Sequence, residues 1–270
     1  MNERTLAIVA VVAAWWLSTG VVLRVVWLPR RTHRYSFMVF SVLALVAGYG
    51  LWRASTMTTL AGAYLGLGTA LVVWAWHELA FLLGIVSGPR KQPSRPGVTG
   101  WPRFVDATLT VIHHELALAA TALAVVAATW DAPNQVATGT FLVLWVMRLS
   151  AKLNLFFGVR ALSEEFVPEH LRYLTSYFRR VRFNPLILLS LVGGGIVLST
   201  LVEAAWSTDA SDFTRLAYTL VASMLGLGLL EHAFLAVPMH DAALWRWLVR
   251  SRTRAGADPV PSKPPSPVVG

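Results

Sequence analysis

The chain has 270 residues, of which 56% are hydrophobic and only 14% are charged. Soluble domains carry about 25% charged residues, so this composition excludes soluble and disordered proteins and indicates an integral membrane protein. The absence of cysteine excludes disulfide bonds, thiolate metal sites and thiol catalysis. The net charge of +9 does not indicate nucleic-acid binding, because most basic residues lie in short loops between apolar segments.

Seven segments reach the roughly 20 mostly apolar residues that a membrane-spanning helix needs. They predict an all-α, polytopic integral membrane helix bundle within residues 1–240. The predicted spans are 5–28, 35–52, 60–86, 107–130, 136–158, 185–206 and 213–237. We therefore expect a multi-pass membrane protein whose helices are surrounded by the lipid bilayer.

The positions of lysine and arginine predict the orientation of the bundle. Most of the 23 basic residues follow the first, third, fifth and seventh spans, whereas few lie in the other loops. Short cytoplasmic loops are enriched in these two residues. The pattern therefore predicts a periplasmic N-terminus and a cytoplasmic C-terminus.

Two cytoplasmic stretches have patterns of their own. Apolar residues recur at helical spacing across 168–183, with basic residues between them, which predicts an amphipathic helix on the membrane surface. Docking of a partner protein is the alternative for its basic residues, which are Arg172, Arg179, Arg180 and Arg182. The Pro-rich stretch 253–270 predicts a disordered cytoplasmic tail.

Ionisable side chains recur inside the spans at similar distances from the cytoplasmic ends of the helices. Each would cost about 2.5–3.5 kcal/mol if it faced lipid at the centre of the bilayer, so we expect them to face one another. Three glutamates are available to compensate Arg148 and Lys152. The candidate ligand-binding residues are His77, Glu78, His113, His114, Glu115, Arg148, Lys152, Asn154, Glu231 and His232.

The adjacent histidines in the fourth span cannot both face the bundle centre, because neighbouring residues on a helix point about 100° apart. Asp106, Thr110, His113 and Ala117 form one helical stripe. This stripe favours His113 as the inward-facing residue.

Four interpretations of the polar cluster remain open. It forms a buried salt-bridge network, binds a chlorophyll-type pigment through a neutral imidazole, ligates a catalytic metal, or belongs to a proton or ion pathway. The spacing disfavours an enzyme, because every His–Glu pair is adjacent, whereas di-iron bundles use Glu-x-x-His. We assign no catalytic residue, and the identity of any metal stays open.

Several stretches carry a family resemblance. They include WWLSTG at 15–20, HELAFLLGIVSGPR at 77–90, PNQVATGTFLVLWVMRLSAKLNLFFGVRALSEEF at 133–166 and EHAFLAVP at 231–238. Across about residues 10–250 the chain resembles the photosynthetic complex assembly protein 2 family (PuhE) of purple phototrophic bacteria.

The resemblance implies a membrane-embedded assembly factor for the photosynthetic reaction-centre and light-harvesting complex. It implies a place in the cytoplasmic or photosynthetic intracytoplasmic membrane, with reaction-centre or antenna subunits or other assembly factors as partners. It also implies a connection with bacteriochlorophyll production. The cofactor stays open; bacteriochlorophyll or a tetrapyrrole precursor bound at the polar cluster is our hypothesis. The family supplies no binding residues, so the candidate residues rest on their depth in the membrane. The alternative function is an integral membrane metal-dependent oxidoreductase acting on a tetrapyrrole or lipid.

Overall fold

A computed structural model describes residues 2–160 and 167–237, so the predicted tail over 253–270 lies outside the described residues. Seven described helices are long and apolar enough to cross a membrane. The described residues form helices, turns and loops, apart from one isolated β-bridge between Val159 and Arg180. The predicted all-α membrane bundle is confirmed. The helices are α1 (Glu3–Val26), α2 (Arg30–Ser55), α3 (Leu60–Leu82), α4 (Gly100–Ala128), α5 (Val136–Phe157), α6 (Pro185–Trp206) and α7 (Asp212–Ala236).

Side-chain caps determine where several of these helices begin. The Asn2 side chain accepts a hydrogen bond from the backbone N–H of Thr5 at 2.8 Å and caps α1. Asn184 caps α6 by accepting from the N–H of Leu186 at 3.0 Å. Pro185 follows this cap in the first turn of α6, where its missing N–H costs nothing.

Helix α3 lies at the centre of the bundle and packs against α1, α2, α5 and α7. Its sequence is apolar on every side, as expected for a helix that other helices surround. Leu67, Leu71 and Leu79 are all buried along its length. This central position brings His77 and Glu78, in the C-terminal half of α3, next to α4 and α5.

Helix α6 lies at the edge of the bundle and packs mainly against α7. Only Ile187 and Ala205 of this helix are buried. Contact with α7 is close at Gly194, where an added Cβ would lie 2.5 Å from a methyl group of Leu229. Small residues allow such close approach between membrane helices. Most of the remaining apolar surface of α6 is left to face lipid.

Helix α3 ends at Leu82, four residues before the predicted end of the third span. Gly84 has a φ of 73° and forms a Schellman cap. In this cap the N–H of Gly84 donates to Phe81 and the N–H of Ile85 donates to Ala80. The apolar run continues past the cap to Val86, which is why hydropathy alone places the end of the helix too late.

The loop after α3 hydrogen-bonds to the side of α4. The backbone N–H of His114 donates to the Ser87 carbonyl at 3.0 Å, and the Arg90 N–H donates to the Leu109 carbonyl at 3.1 Å. Between them, Gly88 packs so tightly that an added Cβ would lie 2.2 Å from the Leu109 oxygen. Residues 87–90 therefore form a non-helical segment that is buried at Ser87 and Gly88, and two of its backbone groups, the Ser87 carbonyl and the Arg90 N–H, are paired with α4.

The segment expected to be an amphipathic helix over 168–183 is a shorter 3-10 helix over Glu169–Tyr177, and the backbone is extended at Phe178. After this point the chain pairs with the end of α5: the Val159 N–H donates to Arg179 at 3.0 Å. These backbone bonds compete with a continuous helix and explain why it stops. Contact of this segment with the membrane surface stays a prediction.

Candidate functional site

Two ion pairs join α3, α4 and α5 near the C-terminal ends of α3 and α5. Arg148 donates to Glu78 across 2.8 Å, and Lys152 donates to Glu115. Arg148 and Lys152 are one helical turn apart on α5, so their like charges lie on the same face of the helix. Each is paired with a carboxylate from a different helix: Glu78 on α3 pairs with Arg148, and Glu115 on α4 pairs with Lys152. The predicted compensation of Arg148 and Lys152 is therefore confirmed for two of the three glutamates.

The third glutamate, Glu231 on α7, has an exposed side chain. It interacts electrostatically with Arg148 and Glu78. Within residues 2–160 and 167–237, however, no basic side chain lies within ion-pair distance of it. Glu231 thus belongs to the cluster by position, but it lacks a neutralising partner of its own there.

His77 is buried among aromatic rings. Its Nε2 lies 2.9 Å from the hydroxyl of Thr121 on α4, which satisfies one ring nitrogen. Its ring lies 4.8 Å from that of Trp76 and 6.2 Å from that of Phe141. His77 therefore joins α3 to α4 by a hydrogen bond and lies within an aromatic layer.

The expectation that His113 faces the bundle centre is wrong. His114 is the inward residue, with no exposed surface, whereas His113 is exposed on the outer face of α4. The buried residues of α4 recur every four positions up to Ala122, because the contact follows an inclined ridge of the helix. The buried stripe is Asp106, Thr110, His114, Leu118 and Ala122.

His232 and Asn154 belong to a separate hydrogen-bond network that joins α5, α6 and α7. The two ring nitrogens of His232 contact the Gly228 carbonyl at 2.8 Å and the Ser150 hydroxyl at 2.9 Å. The Asn154 amide reaches the Ser190 hydroxyl at 3.2 Å. Asn154 also accepts from Asn184, the cap of α6, at 3.0 Å. The bonds made by both candidates are those of a structural network.

Ser150 and Asn184 carry weak signals in the sequence, whereas Ser190 carries none. Ser150 and Asn154 are four residues apart and share a helix face, and Asn184 precedes the helix-initiating Pro185. The contact between Ser150 and Ser190, at 2.8 Å, joins helices that are distant in sequence. No spacing within one helix predicts such a contact.

Several buried polar atoms around the two ion pairs have no hydrogen-bond partner in the part of the chain that the structure describes. The His114 ring packs 4.7 Å from Phe81, whose ring in turn lies 5.0 Å from the Lys152 ammonium. Buried polar groups normally have hydrogen-bond partners, so these unpartnered atoms stand out among the paired charges. The unpartnered atoms are Oε1 of Glu78, both ring nitrogens of His114, Nε1 of Trp145 and Nε of Arg148.

A second polar cluster lies near the N-terminal end of α4. Asp106 is buried and accepts from Arg95 at 2.9 Å, and Arg90 lies 3.7 Å from it. The Tyr177 hydroxyl accepts from Arg90 at 2.8 Å and raises the pKa of that guanidinium. Arg103 donates to the Tyr177 carbonyl. The cluster fastens the 3-10 helix to the loop after α3.

The four arginines proposed for docking are all exposed, and they lie close in sequence to Tyr177. Arg172 lies on the 3-10 helix, and Arg179, Arg180 and Arg182 follow it in the extended segment. Nearby, burial raises the pKa of Tyr173, whose ring faces the protein. The arginines are thus placed to contact a membrane surface or a partner, and both uses stay predictions.

In the described ranges, no group of three His, Asp or Glu side chains is arranged to hold a metal ion. One of the His–Glu sequence pairs is split between partners: His77 bonds to Thr121 while Glu78 bonds to Arg148. Adjacent residues therefore serve different neighbours, as their helical geometry requires. No specific contact favours the metal-dependent oxidoreductase.

Comparison with known proteins adds two findings. A family model described as "Protein of unknown function (DUF3623)" matches residues 1–256. The chain is also similar to a Rhodobacter capsulatus protein described as an uncharacterized 30.4 kDa protein in the puhA 5' region. The two are 32% identical over 276 residues, which cover 98% of this chain and 99% of the relative. No solved structure matches the chain.

Proposed function

The chain belongs to the DUF3623 family, and from this premise we propose that it is an assembly factor for the photosynthetic reaction-centre and light-harvesting complex. In this role it handles bacteriochlorophyll or a tetrapyrrole precursor within the cytoplasmic or intracytoplasmic membrane. Its partners are reaction-centre or antenna subunits or other assembly factors. The puhA region that names the Rhodobacter capsulatus relative supports a role in photosynthesis, as does the resemblance to PuhE proteins.

The exposed position of His113 carries the pigment part of this proposal. His113 lies on the outer face of α4, in the half of the helix that holds the polar cluster. Leu109 and Leu116 flank it on the same face, and they are 38% and 60% exposed. A neutral imidazole is a common metal ligand, and apolar neighbours can pack against a flat macrocycle. A chlorophyll-type pigment supplies the magnesium ion that such an imidazole binds.

The other histidines of the cluster fit a pigment less well. His114 is completely buried against Phe81, which leaves no room for a macrocycle at its ring. His77 and His232 already contact hydroxyl groups. Lys152 is held by a carboxylate and is not free to pair with a propionate. We therefore place the pigment contact at His113.

An absorption spectrum between about 300 and 900 nm tests the proposal, since bacteriochlorophylls and their precursors absorb in this range. The tagged protein is purified in mild detergent from phototrophically grown cells that lack the reaction-centre and antenna polypeptides. This host removes pigment carried over from those complexes. We expect a bound pigment band in the wild type that His113→Leu removes.

The matched control is His33→Leu, which changes a histidine near the start of α2 that bonds to the Leu28 carbonyl. This variant should keep the band. A colourless wild-type protein would contradict pigment handling, and a band that survives His113→Leu would contradict the assigned ligand. In cells, His113→Leu should leave membrane insertion intact while the yield of photosynthetic complexes changes.

A further inference from the structure

The edge of the bundle at Glu231 differs from the rest of the polar cluster in its exposure. The Glu78, Glu115 and Lys152 side chains are 12%, 16% and 18% exposed, as expected for paired charges between helices. Arg148 is 40% exposed, and Glu231 on α7 is exposed as well. Charged groups are therefore accessible from outside the bundle at this one place in the cluster.

The charges at this edge do not balance. Lys152 and Glu115 neutralise each other within their own pair. Arg148 pairs with Glu78 and also interacts with Glu231, so one guanidinium serves two carboxylates. The edge formed by Glu78, Arg148 and Glu231 thus has one negative charge in excess when all three groups are ionised.

The depth of Glu231 makes this excess unfavourable. Glu231 lies five residues before Ala236, where α7 ends, which places it about 7 Å from the end of the helix. Ionisable side chains at such depth are tolerated where they pair inside a bundle or face a polar partner. The neighbouring Leu230 is 48% exposed, so the surroundings on α7 are apolar.

Only part of this edge can be reached from outside the bundle. Oε1 of Glu78 and Nε of Arg148 are buried, and neither has a hydrogen-bond partner in the described residues. The acceptor open to an external partner is therefore the exposed Glu231 carboxylate. A lysine ammonium carries three donors and an arginine guanidinium carries five, so either basic side chain can pair with this carboxylate.

We propose that this edge docks a transmembrane helix of another protein, which presents a lysine or arginine at the depth of Glu231. A spanning helix is favoured because it pairs its own backbone groups in the bilayer core. A long basic side chain can reach a carboxylate near the interface while its stem stays in an apolar environment. The accessible charged groups of this edge are Glu231 on α7 and Arg148 on α5. They are separate from His113 on α4, so the docking proposal does not rest on the pigment proposal.

Association with synthetic helices in vesicles tests the docking edge. The full chain, labelled at a cysteine introduced by Asp209→Cys, is reconstituted in phosphatidylcholine vesicles; the chain has no other cysteine. Two acceptor-labelled Leu/Ala helices are titrated by energy transfer. One carries a single lysine at the depth of Glu231, and the other carries leucine there. We expect the lysine helix to associate at least tenfold more strongly, and Glu231→Gln to abolish this preference.

A matched control is Glu203→Gln, which removes another exposed carboxylate from a different helix, α6. It should leave the preference for the lysine helix unchanged. Glu231→Lys should reverse the preference toward a helix that carries glutamate, so the test does not depend on one variant folding well. Equal association of the two helices with the wild type would overturn the proposal. A lysine preference that persists in Glu231→Gln would overturn it too.

Discussion

Two adjacent histidines on α4 have opposite environments, and their difference shows what single residues contribute to this site. His114 is buried with both ring nitrogens unpartnered in the described structure, whereas His113 is exposed. The sequence predicts that only one of them faces inward. The sequence does not decide which one. A buried stripe with steps of four and three residues includes His113, and a stripe with steps of four residues includes His114, and both are regular patterns on a helix. The choice depends on how α4 crosses its neighbours.

The Lys152–Glu115 pair should show strong coupling, since both side chains are mostly buried between α4 and α5. Glu115→Gln or Lys152→Met alone leaves one uncompensated charge and should lower stability by about 3–5 kcal/mol. The double variant should lose much less. Unfolding of all four proteins in mild detergent measures the coupling by a double-mutant cycle.

The exposed pair of Asp212 and Arg215 provides the comparison. Arg215→Gln should cost less than about 1 kcal/mol, because solvent screens a surface pair. If the losses of unfolding free energy in the two single variants simply added in the double variant, Lys152 and Glu115 would not act as a coupled pair.

At the scale of elements, the seven helices follow from hydropathy, but the segment after α3 does not. Leu83, Ile85 and Val86 continue the apolar run, so a hydropathy profile cannot distinguish the end of a helix from a buried loop. The signals that were present are Gly84, which forms the cap, and Gly88, which allows contact with α4. Their roles become clear only once α4 is placed, since backbone pairing between distant segments leaves no periodic pattern.

Substitution of Gly88 tests the contact between this loop and α4. In Gly88→Ala the new Cβ would lie 2.2 Å from the Leu109 oxygen and 2.5 Å from the Thr110 carbonyl carbon. Backbone atoms cannot rotate away, so we expect a loss of about 1–3 kcal/mol or more. Thermal unfolding in detergent measures it, and faster amide exchange at His114 should accompany it.

Gly193→Ala is the matched control, because no atom lies within 4 Å of a Cβ at this helical position of α6. It should leave stability unchanged or raise it by up to about 1 kcal/mol, since alanine favours helices over glycine. Equal effects of the two substitutions would mean that Gly88 is not tightly packed against α4.

Across the whole molecule, the two halves of the bundle differ in chemistry. The half near the N-terminus of α1 contains an apolar core that includes Ala7, Val11, Leu67, Leu220 and Met224. The other half contains the ion pairs, the buried histidines and the arginines that contact Asp106. This division was predictable, because the depth of each ionisable residue follows from helix length. The sequence predicts that the basic residues pair with glutamates, but it does not predict which glutamate pairs with which basic residue. It also does not predict that Glu231 is exposed.

The orientation predicted from basic residues is open to a direct test. Asp209 and Lys91 lie in exposed loops at opposite ends of the helices, and the chain has no cysteine to give background. A membrane-impermeant maleimide should label Asp209→Cys in intact cells, whereas Lys91→Cys should react only after permeabilisation. The opposite pattern would invert the predicted topology.

The hydrogen bonds that join the Ser87 carbonyl and the Arg90 N–H to α4 also constrain how the chain enters the bilayer during synthesis. Loop backbone groups beside hydrocarbon are strongly unfavourable until they find partners. For residues 87–90 those partners lie on α4, which leaves the ribosome after the loop. We therefore expect the translocon to retain α3 and its loop until α4 has emerged, and to release the two helices together as a hairpin.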